Sequence, residues 1–465
     1  MNNQKKRVNP YLLVILSFIV IIFLGSLLLM MPFSRSQGNF GNYVDCLFLA
    51  TSATCVTGLN SLTNGLGQAV GIGQELSFVG QLIVLLMIQI GGLGFITLLT
   101  FFITLFSKKL QFKDRLFISM MVNSEDVADV VSFVRKIILI SFSFEITGFL
   151  LGLPVFLSHC SNIGEALWYS LFTSVSAYNN AGFDLFGNCS LILGQGGFVD
   201  GLETWAYYYM CTYIMVLIVS GGISFLVVMD IFAKRKFKQL RVFTKISLMM
   251  AGILIVSGFL VFLISEGPAH PFDALFQSVT CRTAGFATVN QDELSVLGKA
   301  FSCFLMFFGG NPLGTAGGVK TTTLYIIVLA MVSYLTGKKV ITSFHRRYSN
   351  GVIVKAMSLV LLAVTTIFIS FIVVYALESQ LDLESIGVFS TKSAAILYEV
   401  FSAFGTVGVS TGITPYLSWG SKLVICVLMF IGRLGPITFF QLLGSKMRFE
   451  DQSKFHYVEE DFLIG

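Results

Sequence analysis

Hydrophobic residues along this chain are gathered into long runs that are separated by short polar segments. Eight runs reach the roughly 20 residues that a bilayer crossing requires, and they lie at 11–31, 78–106, 131–157, 205–232, 243–264, 296–335, 356–377 and 421–443. Four shorter apolar runs lie between them, at 44–53, 166–177, 272–281 and 394–404. Because runs of about ten to twelve residues cannot span a bilayer, we predict that these four are half-helices that enter the membrane and return.

The order of long and short runs repeats four times. Each repeat has a span, a half-helix, a turn and a second span, and the repeats cover 11–106, 131–232, 243–335 and 356–444. Composition favours a membrane protein, because 55% of the residues are hydrophobic, only 12% are charged and the mean hydropathy is +0.82. The first run lacks a small-residue cleavage site, so we interpret it as a retained span. The sequence predicts one all-α membrane domain, 1–465, that includes a cytoplasmic tail, 445–465.

Basic residues are concentrated on one side of the predicted membrane. Of the 30 lysines and arginines, 23 fall at the amino terminus, in the loops 108–136, 234–245 and 338–355, or in the tail. Those predicted on the other side are Arg35, Lys299, Lys392 and Lys422. Because lysine and arginine collect in cytoplasmic loops, both termini are predicted to be cytoplasmic and the four turns to face outward. The net charge of +5 follows from this asymmetry and does not indicate a nucleic-acid partner.

Each half-helix leads into a tight turn that contains a central glycine. Three of the turns have a serine six residues before that glycine, and the third turn has Thr280 five residues before it. The turn residues are Cys55, Val56, Thr57 and Gly58 in the first; Asn179, Asn180, Ala181 and Gly182 in the second; Arg282, Thr283, Ala284 and Gly285 in the third; and Gly405, Thr406, Val407 and Gly408 in the fourth. We call these the four filter turns.

Turns of this kind have the chemistry of a cation filter. Rings of backbone carbonyl oxygens replace the hydration shell of an ion, and glycine adopts the necessary backbone at little steric cost. Half-helices whose carboxyl ends point to the axis add partial negative charge there. One glycine turn alone would be a packing glycine or a loop, but four in register predict a pseudo-fourfold filter around one pore. The predicted ligands are the carbonyl oxygens of Val56, Thr57, Asn180, Ala181, Thr283, Ala284, Thr406 and Val407.

The apolar run 296–335 is about twice as long as a crossing needs and contains a glycine-rich interruption. Proline and repeated glycine oppose a continuous helix there. We predict a gating loop below the filter, with a simple packing kink as the alternative. Its residues are Gly309, Gly310, Asn311, Pro312, Gly314, Thr315, Ala316, Gly317, Gly318 and Lys320. The stretch 314–321 is close to a phosphate-binding loop, but Val319 replaces the required glycine.

Two arginines are predicted at membrane depth and therefore need partners. Arg433 is interpreted as a charge below the filter that contacts the gating loop; the alternative is an ion pair with Glu145 or Glu399. Arg282, just before the third turn, is predicted to brace the filter by donating to carbonyls; the alternative is that it repels ions in the path. Glu399 is assigned to filter support. Asn179 and Asn180 either hold the second turn open or satisfy local backbone groups.

The filter motifs resemble those of the Ktr, Trk and HKT superfamily of potassium transporters, and the Ktr membrane subunit most closely. The motifs in this chain are Thr-x-Val-Thr-Gly-Leu, Asn-Asn-Ala-Gly-Phe, Arg-Thr-Ala-Gly-Phe and Ser-Ala-Phe-Gly-Thr-Val-Gly, and Thr315 to Thr321 match the motif that follows the family's gating loop. The chain begins directly at the first repeat and closes on Leu463, Ile464 and Gly465, as Ktr-type members do. In plant relatives a serine in the first repeat accompanies sodium transport, so Gly58 favours potassium.

The resemblance implies potassium uptake across the bacterial plasma membrane, often dependent on sodium, with no covalent cofactor. It also implies a homodimer gated by a cytosolic regulatory ring of the Ktr type that binds ATP and ADP or NAD. Sodium coupling and passive conduction both stay open at this point. A coupled transporter of another solute is a second hypothesis, although the parallel repeats argue against it. A scaffold or enzyme is a third, and the sequence contains no hydrolytic, redox or zinc motif. Cys160 and Cys189 either form a disulfide or stay free.

Overall fold

The computed structural model describes residues 10–64, 67–94, 130–186, 204–267, 271–338 and 340–436, and these residues are mostly helical. Taken in the order of the four predicted repeats, the first contains helices α1 (Pro10–Met30), α2 (Tyr43–Cys55), α3 (Ile72–Glu75) and α4 (Phe78–Leu93). The second contains α5 (Val130–His159), α6 (Ile163–Tyr178), α7 (Thr204–Gly222) and α8 (Phe225–Lys234). Several predicted features lie outside the described residues. They are the ends of two spans, at 95–106 and 437–443, the cytoplasmic tail and Cys189.

The third repeat contains α9 (Val242–Ser265), α10 (Pro271–Thr280), α11 (Val296–Phe307) and α12 (Thr321–Leu335). A short hairpin of β1 (Thr342–Ser343) and β2 (Arg346–Arg347) follows, with Thr342 opposite Arg347. The fourth repeat contains α13 (Asn350–Leu377), α14 (Lys392–Gly405) and α15 (Trp419–Leu434). The four predicted half-helices are therefore present as α2, α6, α10 and α14, each close to its predicted bounds.

Membrane-crossing length is clearest in three of the described helices. They are α5, from Val131, α9 and α13, and the bent pair α7 and α8 becomes a fourth if it is counted as one span. Helices α4, α11 and α12 are apolar but shorter, as is the portion of α1 from Val14 to Met30. The predicted run 296–335 is divided between α11 and α12, and residues 308–320 between them are not helical, as the glycine and proline pattern predicts.

The predicted single span 205–232 is wrong in one respect, because the chain bends by 95° between α7 and α8. The bend arises from contacts with the non-helical segment 308–320, which we call the midspan loop. The carbonyl oxygens of Gly221 and Gly222 accept from the amides of Thr315 and Asn311, both at 3.2 Å. Ser224 caps the new helix by accepting from Leu226 N at 3.3 Å. The loop therefore takes up the carbonyls that a continued helix would have used.

The half-helices form the buried centre of the fold. Their large side chains, including Phe48 and Leu49 on α2 and Tyr398 on α14, are fully buried. The surrounding helices instead expose large apolar residues such as Leu361 and Phe368 on α13. Such an outer surface suits lipid rather than water, because exposed apolar patches of this extent are rare on soluble monomers.

A buried ion pair joins the first repeat to the last. Lys422 Nζ on α15 lies 2.7 Å from Asp45 Oδ1 on α2, and both side chains are 9% exposed. Ser61 Oγ also donates to that carboxylate, at 3.2 Å. Because 377 residues separate the partners, the pair fixes how the two ends of the chain are placed against each other.

We expect the Lys422→Met variant to be less stable by about 3–5 kcal/mol, because Asp45 would keep a buried charge without its partner. Unfolding of the purified protein in detergent, followed by intrinsic fluorescence, measures the loss. The double variant Asp45→Asn, Lys422→Met should recover much of it, since no unpaired charge remains. The exposed Lys355→Met is the matched control. Equal stability of Lys422→Met and Lys355→Met would contradict the prediction.

Candidate ion-conduction site

The four filter turns lie next to one another and together form a closed ring. Each central glycine faces the carbonyl oxygen that precedes the glycine of another turn, and the pairs are Gly58 with Ala181, Gly182 with Ala284, Gly285 with Val407 and Gly408 with Thr57. These pairs close a cycle through all four turns. A Cβ added to Gly58 or Gly285 would lie 2.5 Å from the facing oxygen, so a side chain at either position would enter the ring.

Two residues of each turn have left-handed backbone. The central glycines have φ of 99°, 67°, 87° and 97° in chain order. The residues two positions earlier have φ of 57°, 58°, 72° and 50°, and they are Val56, Asn180, Thr283 and Thr406. Valine and threonine rarely adopt this conformation, and each such residue costs about 1–3 kcal/mol. Four strained positions in the same register indicate that the surrounding structure imposes this backbone.

The half-helix ends explain how that backbone is held. In the first turn Val56 N donates to Ala53 O at 3.2 Å and Thr57 N donates to Ser52 O at 2.8 Å, which is a Schellman closure. The second and fourth turns repeat this pair of bonds. In the third turn Ala284 N instead donates to Thr280 O at 3.0 Å. The closing hydrogen bond of the third turn therefore spans one residue fewer, which matches the one-residue difference in the sequence, and Gly285 still lies in the ring.

The amino-terminal ends of three half-helices, which point away from the ring, carry capping or acidic residues that suit the positive end of a helix dipole. Asn42 caps α2 through Val44 N at 3.0 Å, and Asn162 caps α6 through Gly164 N at 3.1 Å. Acidic residues lie in the first turn of three half-helices, at Asp45, Glu165 and Asp273. These groups stabilise the positive ends of the helix dipoles. The negative ends are consequently directed at the ring, where a cation gains from them.

A cavity of about 840 Å³ opens directly above the ring. All four central glycines line it, together with the acidic Asp184, Asp292 and Glu293. Among the described residues that line the cavity there is no lysine or arginine. Asp292 is itself buried and its Oδ1 lies 3.9 Å from Lys299 Nζ. The carboxylates of Asp184 and Glu293 and the carbonyl oxygens of the ring still give this side the electrostatic arrangement of a cation entrance.

The midspan loop packs against the other side of the ring. A Cβ on Gly309 would lie 2.8 Å from Thr283 Cγ2, and one on Gly317 would overlap Thr406. The loop closes on itself through Gly309 N to Val319 O, 3.0 Å, and Val319 N to Phe307 O, 3.1 Å. The predicted gating residues therefore share one compact segment, which comprises Gly309, Gly310, Asn311, Pro312, Gly314, Thr315, Ala316, Gly317, Gly318 and Lys320.

Arg433 binds backbone carbonyls rather than a carboxylate. Its guanidinium donates to Thr315 O of the midspan loop and to Gly91 O of α4, the latter at 2.6 Å. The alternative of an ion pair with Glu145 or Glu399 is wrong, because the described contacts of these carboxylates go to other groups. Arg433 thus joins the last span, the first repeat and the loop below the ring.

Lys320 and Arg282 also bind carbonyls. Lys320 Nζ donates to Ala316 O at 2.5 Å, within the loop itself. Arg282 Nη1 donates to Ala251 O on α9 at 3.4 Å. Arg282 therefore donates to a carbonyl, but in the described residues that carbonyl lies on a span and not in a filter turn. Its guanidinium extends to a neighbouring span, α9.

Glu399 and Asn179 support the segments around their turns. Glu399 is 1% exposed and accepts from Ser410 Oγ at 2.5 Å, Thr411 N at 3.0 Å and Thr414 Oγ1 at 2.8 Å. It holds the chain that leaves the fourth turn. Asn179 Nδ2 donates to Glu145 Oε1 at 3.0 Å, so this side chain links the second turn to α5 as well as to its local backbone.

Sequence reasoning missed Gln89, which completes the group behind the second turn. Gln89 Nε2 donates to Glu145 at 2.9 Å, and Gln89 Oε1 accepts from Asn179 at 3.2 Å. With its amide oriented to satisfy its surroundings, Asn180 donates to Ile218 O on α7 at 3.1 Å. A polar residue inside an otherwise apolar span was the available signal, because such residues face protein rather than lipid.

Comparisons with known proteins agree with this geometry. The model of the TrkH cation transport protein family matches residues 2–267 and 264–450. Ktr system potassium uptake protein B of Bacillus subtilis is 33% identical over 99% of this chain and 97% of its own. Potassium/sodium uptake protein NtpJ of Enterococcus hirae is 32% identical, over 99% and 98%. The potassium transporter TrkH from Vibrio parahaemolyticus has the same fold, with a TM-score of 0.69 at 17% identity and coverage of 95% and 86%.

These matches span nearly the full chain and include Ktr-type proteins, so the resemblance inferred from the filter motifs is confirmed. The relatives are transport proteins, and the interpretation of the chain as an enzyme is excluded. Taken with the fold, they show that the chain belongs to the TrkH family of cation transport proteins.

Proposed function

We propose that this protein takes up potassium through the ring formed by the four filter turns, which act as one pseudo-fourfold pore. The observation that carries the proposal is the closed cycle of glycine and carbonyl pairs, because it brings oxygens from all four repeats to one place. Backbone carbonyl rings of this kind replace the hydration shell of potassium. The acidic cavity above the ring supplies cations to it. The names of the Ktr and NtpJ relatives support potassium as the ion.

The midspan loop acts as the gate in this proposal. It lies against Thr283 and Thr406 at the base of the ring and is held by Arg433. Irregular backbone at membrane depth is tolerated only where protein or water surrounds it. A loop of glycines in contact with the ring meets that condition and blocks the route below it. Its displacement opens the route.

The wider arrangement of the protein completes the proposal. In this proposal the chain lies in the bacterial plasma membrane with both termini in the cytoplasm, and it forms a homodimer. A separate cytosolic ring that binds ATP and ADP or NAD controls the gate in this proposal. The name of the Bacillus subtilis relative as part of a Ktr system supports the existence of a separate partner. Sodium stimulates uptake, and the potassium/sodium name of one relative supports that part.

We expect Gly58→Ser to lower the preference for potassium over sodium by about tenfold, which corresponds to about 1.4 kcal/mol. The added Cβ would lie 2.5 Å from Ala181 O and displace a ring carbonyl. Rubidium and sodium uptake into proteoliposomes that contain the purified protein measures the ratio, with and without sodium gradients and the regulatory partner.

Gly412→Ser is the matched control for this substitution. Gly412 has φ of +94°, close to the +99° of Gly58, but its Cβ would meet no atom within 4 Å. It therefore reproduces the backbone strain without the intrusion into the ring. If the two variants retain the same selectivity, the first turn does not line the filter. A wild-type protein without any cation flux, even with its partner, would contradict the proposed function itself.

Deletion of residues 312–317 should raise rubidium flux and weaken its dependence on the regulatory partner, because the segment under the ring would be missing. Single-channel or flux assays with and without the partner measure both effects. The deletion also removes the Thr315 carbonyl that Arg433 binds. Arg433→Gln is the companion variant, since it removes the same contact while keeping the loop. An unchanged flux in the deletion variant would reduce the loop to a packing kink.

A further inference from the structure

The residue that closes each half-helix also contacts its filter turn through its side chain. These residues are Ser52, Ser176, Thr280 and Ser402, and all four are fully buried. Their carbonyls accept the closing bonds of the turns described above. Their hydroxyls make a second set of bonds, and that set differs between the repeats.

In the first and fourth turns the hydroxyl oxygen accepts a hydrogen bond from the backbone amide of the central glycine. Gly58 N donates to Ser52 Oγ at 3.1 Å, and Gly408 N donates to Ser402 Oγ at 3.0 Å. The amide of Gly58 belongs to the same planar peptide unit as the carbonyl of Thr57, and in a trans peptide the two groups point in opposite directions. Because Ser52 Oγ binds the Gly58 amide on the side away from the ring, the Thr57 carbonyl points toward the ring.

That carbonyl is one of the four in the ring. Thr57 O faces Gly408, and Val407 O, which shares a peptide unit with the Gly408 amide, faces Gly285. Without a hydroxyl behind it, the glycine amide would lose its hydrogen-bond partner, which favours rotation of the whole peptide unit. Such a rotation would turn the carbonyl out of the ring and the amide into it.

In the second and third turns the hydroxyl donates outward. Ser176 Oγ donates to Phe183 O at 2.7 Å, and Thr280 Oγ1 donates to Phe286 O. These carbonyls follow the central glycine and lie two peptide units beyond the ring carbonyls Ala181 O and Ala284 O. Loss of these hydroxyls therefore frees the chain above the ring and leaves the ring peptide without a direct change.

We propose that Ser52 and Ser402 are positioning residues for selectivity, which orient the ring carbonyls of Thr57 and Val407, whereas Ser176 and Thr280 anchor the chain at the mouth. The inference rests on the proposed function, because it assigns these hydroxyls a part in the same ring. The four repeats are then chemically unequal, and selectivity depends on two of the four hydroxyls.

The test compares isosteric or nearly isosteric variants in proteoliposomes by the ratio of rubidium to sodium uptake. Ser52→Ala and Ser402→Ala should each lower the ratio by about tenfold, equivalent to about 1.4 kcal/mol. Ser176→Ala and Thr280→Val should change it by less than about threefold. Ser52→Thr should keep much of the ratio, because it retains a hydroxyl at the position that accepts from Gly58 N.

Two buried serines on the same kind of helix serve as matched controls. Ser174 Oγ donates to Glu145 O at 2.6 Å and Ser278 Oγ donates to Ile255 O at 2.7 Å, so each contacts a span rather than a turn. Ser174→Ala and Ser278→Ala remove a buried hydroxyl without touching the ring. Their uptake ratio should equal that of the wild type, with comparable amounts of folded protein in the vesicles.

The proposal is overturned if Ser52→Ala and Ser402→Ala match these controls, or if all four turn variants lower the ratio equally. Either result leaves potassium uptake by the wild type intact. A wild-type protein that does not prefer rubidium to sodium is a different result, because it would contradict the proposed function before any serine is changed. The two failures are therefore distinguishable in one experiment.

Discussion

The structure depends on the need to satisfy backbone polar groups wherever the chain leaves helical geometry at membrane depth, because lipid offers no hydrogen-bond partners there. The four filter turns do so through closing bonds to their own half-helices, and the midspan loop does so through the carbonyls of Gly221 and Gly222. Arg433 serves the same requirement by donating to carbonyls of the loop and of α4. The longer helices then surround these irregular segments and separate them from lipid.

The ring is a property of the whole fold rather than of any one turn. Each turn supplies the carbonyl that faces a glycine in another turn, and left-handed valine and threonine are unfavourable in isolation. Strain of this kind persists only where neighbouring structure over-determines it. The Asp45 and Lys422 pair, which joins the first repeat to the last, supplies part of that constraint by bringing the ends of the chain together.

Much of this arrangement could be predicted from sequence, because it is local. Run length indicated the half-helices, and Pro312 with its glycines indicated the break between α11 and α12. The bend after Gly222 could not be predicted, since it depends on carbonyls that the distant midspan loop uses. The same reason explains Arg282, whose partner Ala251 lies on another helix. The contact of Arg433 with the gating loop was predicted, but its second partner, Gly91 O on α4, was not. Periodicity shows which segments are buried, but it does not show which buried groups are neighbours.

The contacts of the midspan loop restrict how it can move. Residues 309–317 touch Thr283 and Thr406 above, while Thr315 is bonded to both Gly221 and Arg433. If the loop leaves, the carbonyls of Gly221 and Gly222 and the guanidinium of Arg433 lose partners at membrane depth. An unsatisfied buried group costs about 1–3 kcal/mol, and more when it is charged. In the proposed gating the displaced state is therefore favourable only when water enters the space, so that displacement of the loop and hydration of the proposed route below the ring would be one event.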